Sequence, residues 1–286
     1  MTRILAALSL IALAVTAIGY RNATADPIVR PAQVGMASWP PRTPPLRVAL
    51  LSDLHVAGPD MPPERLARIV RQVNAAKPDL VLIAGDLVSD KRVSTHRYEV
   101  AEAVAPLRGI AAPLGVVAVL GNHDHWRDTT AFRRELPRIG VRVLANEALR
   151  VGPVMIAGAD DPYTGRADPV ALVRAVARHA GPVVTLSHSP DVAPRLPLRF
   201  GLVLAGHTHC GQIALPLVGP IATMSDLGER YACGMIREGG RTVIVGAGLG
   251  TSLMPIRFGA PPDWWLVTLG PADQSSRSTL SERVRR

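Results

Sequence analysis

The chain has 286 residues, of which 48% are hydrophobic and 19% charged, a composition typical of a globular protein and not of a disordered or fibrous one. Its length allows one large α/β domain or two small ones. The formal net charge is +9, but aromatic residues make up only 4% and no run of basic residues is interleaved with them. Nucleic acid is therefore not expected as a partner. A basic surface can instead attract phosphate-bearing substrates or anionic lipid headgroups.

The first 25 residues differ from the rest of the chain. Arg3 precedes an almost uninterrupted apolar run over residues 4–20, and Ala23-Thr24-Ala25 has the small-residue pattern of a secretory cleavage site. The run is also close to the lower length limit of a membrane-spanning helix, about 17 residues. Residues 1–25 are thus expected to form a signal peptide or a retained N-terminal membrane anchor, and either places the protein in the cell envelope. Arg3 and Arg21 flank the run on both sides, so its orientation is not predicted.

The remaining chain divides into three predicted parts. Residues 26–46 contain six prolines and little periodicity, which is typical of an extended Pro-rich linker. Residues 47–270 carry the patterns of a folded domain. Residues 271–286 are polar and basic and are predicted to be a disordered tail.

Five continuous apolar runs occur in residues 47–210, as expected for strands buried on both faces. They cover residues 47–51, 80–84, 116–120, 183–186 and 202–205. Helical periodicity lies between and beside them, at residues 63–76, 98–107, 130–136 and 168–179. This alternation predicts parallel βαβ units with right-handed crossovers. Residues 212–269 are rich in strand patterns without clear helices, which suggests a second, mixed sheet.

Each of the five runs ends in acidic, amide or imidazole side chains. Ligands bind at the carboxyl ends of strands in α/β sheets, so we expect these side chains to meet in one cavity. Oxygen and imidazole ligands without thiolate suit divalent manganese, iron or zinc. In the two Asp/His-x-His pairs, the spacing is expected to place both side chains on one side of an extended segment. The candidate ligands are Asp53, His55, Asp86, Asn122, His188, His207 and His209.

The order of these residues resembles the signature of calcineurin-like metallophosphoesterases. The matching set is Asp53-x-His55, Gly85-Asp86, Gly121-Asn122-His123-Asp124, His188 and Gly206-His207-Thr208-His209. Residues 206–213, with 250–252 and Arg257-Phe258, are similar to a bacterial membrane-associated branch, the YkuE/YaeI-like phosphoesterases. The resemblance implies an α/β fold, a four-layer αββα sandwich of two mixed sheets flanked by helices.

The resemblance also implies two divalent metal ions and a role for each motif residue. One ion would be held by Asp53, His55, Asp86 and His209, and the other by Asp86, Asn122, His188 and His207. Asp86 suits the bridging position because its two carboxylate oxygens can serve two cations. A metal-bridging hydroxide would attack the phosphorus. His123 would protonate the leaving oxygen or stabilise the charged phosphorane, and Asp124 would hold the His123 imidazole in position.

Several functions are compatible with this set. The first is hydrolysis of a phosphomonoester, phosphodiester or pyrophosphate, and the N-terminal segment favours a cell-envelope or lipid-linked substrate. Its alternative is a UDP-2,3-diacylglucosamine-type pyrophosphatase of lipid A synthesis. A catalytically silent scaffold with the same fold is a different class of function, which the complete ligand set disfavours. A metallopeptidase ranks last, because no His-Glu-x-x-His motif is present.

Four further residues near the motifs have open or ordinary expectations. Cys210 and Cys233 have no metal-ligand spacing; a disulfide between them requires export, and two unpaired, partly buried thiols are the expectation. His125 is expected either to contact substrate or to lie on the surface. Trp126 is expected either to line the substrate pocket or to pack, with packing preferred.

Overall fold

The computed structural model describes residues 1–89, 91 and 93–272, which form two six-stranded sheets with helices around them. In spatial order, the first sheet contains β1 (Ile28–Met36), β14 (Asp263–Pro271), β2 (Leu46–Leu51), β3 (Leu80–Ala84), β4 (Val116–Val119) and β5 (Val141–Val143). The second contains β12 (Gly234–Glu238), β13 (Arg241–Val245), β9 (Leu202–Ala205), β8 (Val183–Leu186), β7 (Val154–Gly158) and β6 (Glu147–Val151). A small hairpin pairs β10 (Ala214–Leu215) with β11 (Gly219–Pro220).

The helices fall between the strands. They are α1 (Thr2–Thr24), α2 (Pro63–Ala75), α3 (Val100–Val104), α4 (Asn122–Arg127), α5 (Thr129–Arg138) and α6 (Pro169–Val176). Short 3₁₀ helices cover Ala105–Gly109, Pro190–Arg195 and His209–Gly211. The predicted helices at 63–76, 130–136 and 168–179 are confirmed, the last with a shorter end. The helix predicted over 98–107 is broken into α3 and a 3₁₀ turn, and Pro106 stands in that turn, where it lacks a backbone N–H.

Both sheets are mixed. Strands β2, β3, β4 and β5 run parallel to one another, whereas β14 pairs antiparallel with β2. In the second sheet β7, β8, β9 and β13 are parallel, and the outer strands β6 and β12 are antiparallel to their neighbours. The register between β2 and β3 sets Leu50 beside Leu82. Two of the five predicted parallel strands, β8 and β9, thus lie in the second sheet. Strand β14 was expected in the second sheet but belongs to the first.

The core consists of three apolar layers that follow the alternation of side chains along each strand. In β3, Val81 and Ile83 face α2, α3 and α5, whereas Leu80 and Leu82 face the second sheet. The other side of the second sheet packs on α6 and the 3₁₀ turn at Pro190–Arg195. Each fully buried aliphatic side chain contributes about 1.5–3 kcal/mol. This arrangement is the predicted four-layer αββα sandwich.

The prediction of a free linker over residues 26–46 is wrong for residues 28–36. These residues form β1, which pairs parallel with β14 and buries Ala32, Val34 and Met36 between the sheets. Pro31 is tolerated because β1 is an edge strand, where one row of backbone N–H groups needs no partner. Buried and exposed side chains alternate only in the second half of β1, and the prolines obscured this pattern in the sequence. The predicted tail lies outside the described residues from 273 onwards.

Helix α1 is the one helix among the described residues that is long and apolar enough to cross a membrane, by length and composition only. Its residues 2–18 are exposed, whereas Gly19 and Ala23 are buried against the domain.

The two cysteines are joined, so the expectation of unpaired thiols is wrong. Cys210 and Cys233 form a disulfide with their Cα atoms 4.7 Å apart. The partners meet because the Thr208 hydroxyl donates to the carbonyl of Ala232 (2.7 Å), which holds the two segments together. The disulfide therefore ties the residue after His209 to the residue before β12.

Removing this disulfide is expected to destabilise the domain. A Cys210→Ser/Cys233→Ser chain should lose about 3 kcal/mol of unfolding free energy, because the bond closes a loop with a sequence separation of 23 residues. Urea denaturation of both chains, followed by circular dichroism, measures the difference. An unchanged unfolding midpoint would contradict a structural role for the bond.

Candidate active site

The predicted ligands lie at the carboxyl ends of five strands, and all seven are buried. Asp53 and His55 follow β2, Asp86 follows β3, and Asn122 follows β4 as the first residue of α4. From the second sheet, His188 follows β8, and His207 and His209 follow β9. The structure therefore brings the whole predicted set to one place between the sheets.

The backbone at most of these residues is left-handed. The φ angles are +49° at Asp53, +47° at His55, +54° at Asp86, +72° at His207 and +52° at His209. This conformation costs an L-residue roughly 1 kcal/mol or more, and such strain is concentrated at functional sites. The prediction that each His-containing pair lies on an extended segment is therefore wrong. The pairs reach one cavity through tight turns after their strands.

Tertiary hydrogen bonds hold these turns. The backbone N–H of Asp53 donates to the Gly85 carbonyl (3.1 Å), and that of His55 donates to the Asp86 carbonyl (2.9 Å). The backbone N–H of His207 donates to both carboxylate oxygens of Asp53 (3.0 and 3.1 Å). The ligand-bearing turns of the two sheets thus fix one another.

One half of the site is built around His55 and His209. Their Nε2 atoms are 3.0 Å apart, and Asp53 Oδ1 lies 3.6 Å from His209 Nε2. Asp86 Oδ2 lies 3.4 Å from His55 Nε2. Donor atoms of Asp53, His55 and His209 lie within 4.8 Å of one another, close enough for one metal ion to be held by all three.

The other half contains His188, His207 and Asn122. His188 Nε2 lies 3.0 Å from Asn122 Oδ1, 3.1 Å from His207 Nδ1 and 3.3 Å from Asp86 Oδ2. Asp86 Oδ2 is therefore next to an imidazole of each half, in the position that a bridging carboxylate needs.

The outward nitrogens of two imidazoles are fixed by carbonyls. His188 Nδ1 lies 2.8 Å from the carbonyl oxygen of Ala84, and His207 Nε2 lies 2.9 Å from that of Met224. A carbonyl only accepts, so each of these nitrogens carries the hydrogen, and the inward nitrogens present lone pairs in the neutral rings. Two lone pairs 3.1 Å apart repel unless a proton or a cation lies between them. The donor set thus fits a cation, and hydrogen bonds of this kind orient metal-ligating histidines.

The pKa shifts describe the same crowding in the absence of a cation. Burial, and then the neighbouring His188, lower the pKa of His207 to about 4. Burial alone would lower the pKa of His188, but Asp86 and Asp53 raise it well above the ordinary value. Burial raises the pKa of Asp53 to about 6. Burial therefore favours a neutral His207, whereas the two carboxylates favour a charged His188. A bound cation would take the place of that charge, because metal ligands bind through deprotonated rings.

The glycines that precede the ligands allow close approach of the chain to the carboxylates. A Cβ on Gly121 would overlap Asp86 Oδ1 and lie 2.8 Å from His188 Cε1. A Cβ on Gly206 would overlap Asp53 Oδ2. Gly85 has a φ of +80° and packs against Gly121.

A Gly121→Ala substitution is expected to displace Asp86 and weaken metal binding by about 10–100-fold, the usual cost of disturbing groups around a metal ligand. Gly201→Ala is the matched control, because the nearest atom to its Cβ would be 3.6 Å away. Titration of both chains with manganese, followed by isothermal calorimetry, measures the change. Equal affinities would show that Asp86 does not depend on this contact.

Asp124 is fully buried and links two of the ligand turns. Its Oδ1 accepts from the backbone N–H of Leu87 (2.8 Å) and Val88 (3.3 Å), and its Oδ2 accepts from that of Gly121 (3.0 Å). Burial and the nearby Asp86 raise its pKa to about 7. These contacts fasten the turn that carries Asp86 to the turn that carries Asn122. An orienting effect of Asp124 on His123 stays a prediction.

His123 lies beside the ligand cluster and opens to a cavity of about 290 Å³. Its backbone N–H donates to Asp86 Oδ1 (3.0 Å), and its ring packs edge-on against His55 at 4.8 Å between centroids. Its ring therefore contacts the ligand cluster and also lines the cavity in which a molecule could bind.

The cavity has an aromatic wall that the sequence did not reveal. Trp126 is 56% exposed, lines the cavity and meets the His123 ring at 5.0 Å, so the pocket position holds and the preferred packing does not. Tyr163 lies 4.6 Å from the His207 ring. Tyr163 stands in a loop without a motif, and no signal in the sequence pointed to it. The His125 side chain packs against Asp160, with 2.7 Å between Nε2 and Oδ1, so it does not lie on the surface, and a contact with substrate stays a prediction.

Arg257 contacts the ligand cluster through His209. Its guanidinium is fully buried, donates to the carbonyls of Ala247 (2.8 Å) and Ala260 (2.9 Å), and lies 3.3 Å from His209 Nδ1. Burial lowers its pKa to about 10, which leaves it charged at neutral pH. The sequence indicated Arg257 only through the Arg257-Phe258 motif, which is similar to that of the YkuE/YaeI-like branch.

Comparison with known proteins decides the family. Residues 46–211 match the calcineurin-like phosphoesterase family. The chain belongs to this family. Members are metal-dependent phosphoesterases that normally bind two divalent metal ions, so the chain is a metal-dependent phosphoric ester hydrolase.

Relatives of this calcineurin-like phosphoesterase are known from bacteria and animals. An uncharacterised metallophosphoesterase, YkuE of Bacillus subtilis, is 32% identical over 72% of the chain and 73% of its own length. A transmembrane protein with metallophosphoesterase domain from Danio rerio is 33% identical over 88% of the chain, which spans only 59% of that protein. Among solved structures, TT1561 of Thermus thermophilus has a TM-score of 0.45 and 14% identity, covering 72% of the chain and 90% of its own.

Proposed function

We propose that the seven buried side chains hold two divalent cations, manganese, iron or zinc, and that the chain hydrolyses a phosphate ester of the cell envelope. The observation that carries the proposal is the position of Asp86, whose Oδ2 lies 3.4 Å from His55 and 3.3 Å from His188. One carboxylate oxygen thus faces both halves of the site. Asp53, His55, His209 and Asp86 are the ligands we assign to one ion, and Asp86, Asn122, His188 and His207 those of the other.

The roles of the protein groups follow from their positions. When bound, the ions would neutralise phosphate charge and make a water more acidic at neutral pH. The carbonyls of Ala84 and Met224 keep His188 and His207 in the tautomers whose inward nitrogens can bind. His123 stands at the cavity side of the cluster, where its imidazole donates a proton to the departing alkoxide oxygen of the ester. The complete set of groups disfavours a silent scaffold.

The cavity favours a substrate with an apolar part. Its lining includes Trp126, Ile213, Ile221, Leu253 and Met254, together with His123, His207 and His209. A lipid-linked phosphomonoester, phosphodiester or pyrophosphate presents both a phosphate for the histidines and an apolar chain for the apolar lining. The shape and polarity of the cavity support this substrate class.

The disulfide and α1 support a location in the cell envelope with the domain on the oxidising side. Disulfides persist in exported proteins and are rare in the cytosol. Helix α1 supplies the apolar segment for membrane attachment.

The test is a substrate panel with purified chain and manganese: an aryl phosphate, a bis-aryl phosphate, a phosphatidate in mixed micelles and an acylated UDP-sugar. We expect metal-dependent turnover, with kcat/KM for at least one lipid substrate about tenfold or more above that of the aryl phosphate, since remote apolar contacts raise kcat/KM. No turnover of any substrate with manganese, iron or zinc would contradict hydrolysis. Turnover of aryl phosphates alone would contradict the lipid-linked class.

A further inference from the structure

The last turns of α1 are built into the domain. The backbone N–H of Arg257 donates to the Gly19 carbonyl (2.9 Å), and Asn22 Nδ2 donates to the Arg257 carbonyl (3.1 Å). A Cβ on Gly19 would lie 2.8 Å from the Phe258 ring, so the helix packs there at the closest distance that glycine allows. Ala23 is fully buried. These contacts fix the direction in which α1 leaves the domain.

Further hydrogen bonds tie the last turn of α1 and the cleavage-like sequence at residues 23–25 to the domain. Arg65 Nη2 donates to the carbonyl of Ala25 (2.8 Å), and the Tyr20 hydroxyl donates to that of Pro59 (3.2 Å). Cleavage after Ala25 would remove Gly19 and Ala23 and expose the surface that they cover. The segment that α1 covers carries Arg257, which lies 3.3 Å from His209. The end of α1 is therefore packed as part of the fold.

A group of exposed aliphatic side chains, here called the rim, lies beside this junction and around the mouth of the catalytic cavity. Leu217 is 109% exposed, Leu253 69% and Val218 67%. The rim consists of Leu215, Leu217, Val218, Ile221, Leu253 and Met254. Three of its members, Ile221, Leu253 and Met254, also line the cavity.

Hydrogen bonds join the rim to Phe258, the residue against which Gly19 of α1 packs. Gln212 Nε2 donates to the carbonyls of Met254 (3.0 Å) and Ile256 (3.2 Å), and the Phe258 N–H donates to the Gln212 carbonyl (3.1 Å). The Ile221 N–H in turn donates to the Ile213 carbonyl (3.0 Å). The cavity mouth, the rim and the exit of α1 therefore form one continuous region.

The two chain segments that carry the rim contain no charged residue that would oppose burial in lipid. Residues 211–225 and 242–256 contain no Asp, Glu, Lys, Arg or His. In a chain with 19% charged residues, two such segments side by side are unusual. Exposed apolar patches of this kind mark interaction surfaces, and a neighbouring helix that could cross a bilayer indicates which partner is in reach.

We propose that α1 is retained and that the rim contacts the bilayer from which α1 emerges, so that the cavity opens at the membrane surface. This inference rests on the proposed function only for the substrate that would arrive there, a phosphate ester whose apolar chain stays in the membrane. The contact with lipid stands on the rim and α1 themselves.

The test uses the full chain in phosphatidylcholine vesicles with brominated acyl chains, which quench tryptophan emission on contact. A Leu217→Trp chain is compared with a Leu198→Trp chain, because Leu198 is 64% exposed and precedes β9, at the strand end opposite the histidines. We expect the added Leu217→Trp emission to fall about twofold, as for a side chain in the headgroup and acyl boundary, and that of Leu198→Trp to be unchanged. A Val218→Trp chain repeats the measurement independently.

Equal quenching at the two positions would overturn the membrane contact and leave the rim as a surface for a protein partner. Retention of α1 is read separately, from the intact mass of the chain extracted from membranes of the producing cell. A chain that begins at residue 26 would overturn it. Hydrolysis of an aryl phosphate is recorded in the same vesicles. Quenching of Leu217→Trp without hydrolysis would support the membrane contact and contradict the proposed function. Hydrolysis without quenching would do the reverse.

Discussion

Replacing Asp86 by Asn is expected to lower kcat/KM for an aryl phosphate by on the order of a thousandfold and to reduce bound metal from two ions to one or none. Asp86 Oδ2 faces an imidazole of each half of the site, and its Oδ1 accepts from the His123 backbone. An amide has one acceptor oxygen, so its NH2 group would face either the cations or the backbone N–H of His123. The substitution thus removes the negative charge and one of the two contacts of the carboxylate.

Steady-state kinetics and metal analysis by mass spectrometry check this result. Asp226→Asn is the matched control, because it makes the same chemical change at a carboxylate outside the ligand cluster. Its turnover and metal content should equal those of the unsubstituted chain. Full activity of Asp86→Asn with two ions bound would show that the Asp86 carboxylate is not a metal ligand.

Replacing His123 by Ala is expected to lower kcat by about 10²–10⁴-fold while both ions remain bound, as for loss of a general acid. The reason is its position between the ligand cluster and the cavity, where the leaving oxygen of a bound ester would lie. An acid matters most for a poor leaving group. The loss should therefore be smallest for nitrophenyl phosphate and largest for an alkyl phosphate.

The dependence of kcat on leaving-group pKa separates this role from a structural one. His96→Ala serves as the control, because His96 is exposed and belongs neither to the candidate ligands nor to the cavity lining. If His123→Ala lost metal, or lost the same factor on every leaving group, His123 would be a ligand or a packing residue and not the acid.

The strands and the identity of the candidate ligands could be predicted from the sequence because both rest on local patterns. Apolar runs that are buried on both faces have no polar residue within them, so the first polar residues after each run stand out. Asp86 after β3 and His188 after β8 are examples. The topology of the sheets then brings these strand ends together. The order of the motifs along the chain indicated the family.

The geometry of the ligand turns could not be predicted, because it depends on contacts between distant segments. Asp53 and His55 take left-handed backbone angles that the bonds to Gly85 and Asp86 maintain. Asp and His adopt these angles more readily than most residues, but only a small share of them do so, and the sequence does not mark which ones. Strand β1 was missed for a similar reason: its partner β14 is distant in the sequence, and the prolines in and before β1 obscure its alternation. The same applies to Tyr163, which a loop carries to His207.

Anomalous diffraction from crystals of the chain grown with manganese tests the two-cation site most directly. We expect two peaks per chain, one among Asp53, His55 and His209 and one among Asn122, His188 and His207, with Asp86 next to both. A single peak, or peaks away from these side chains, would contradict the binuclear site.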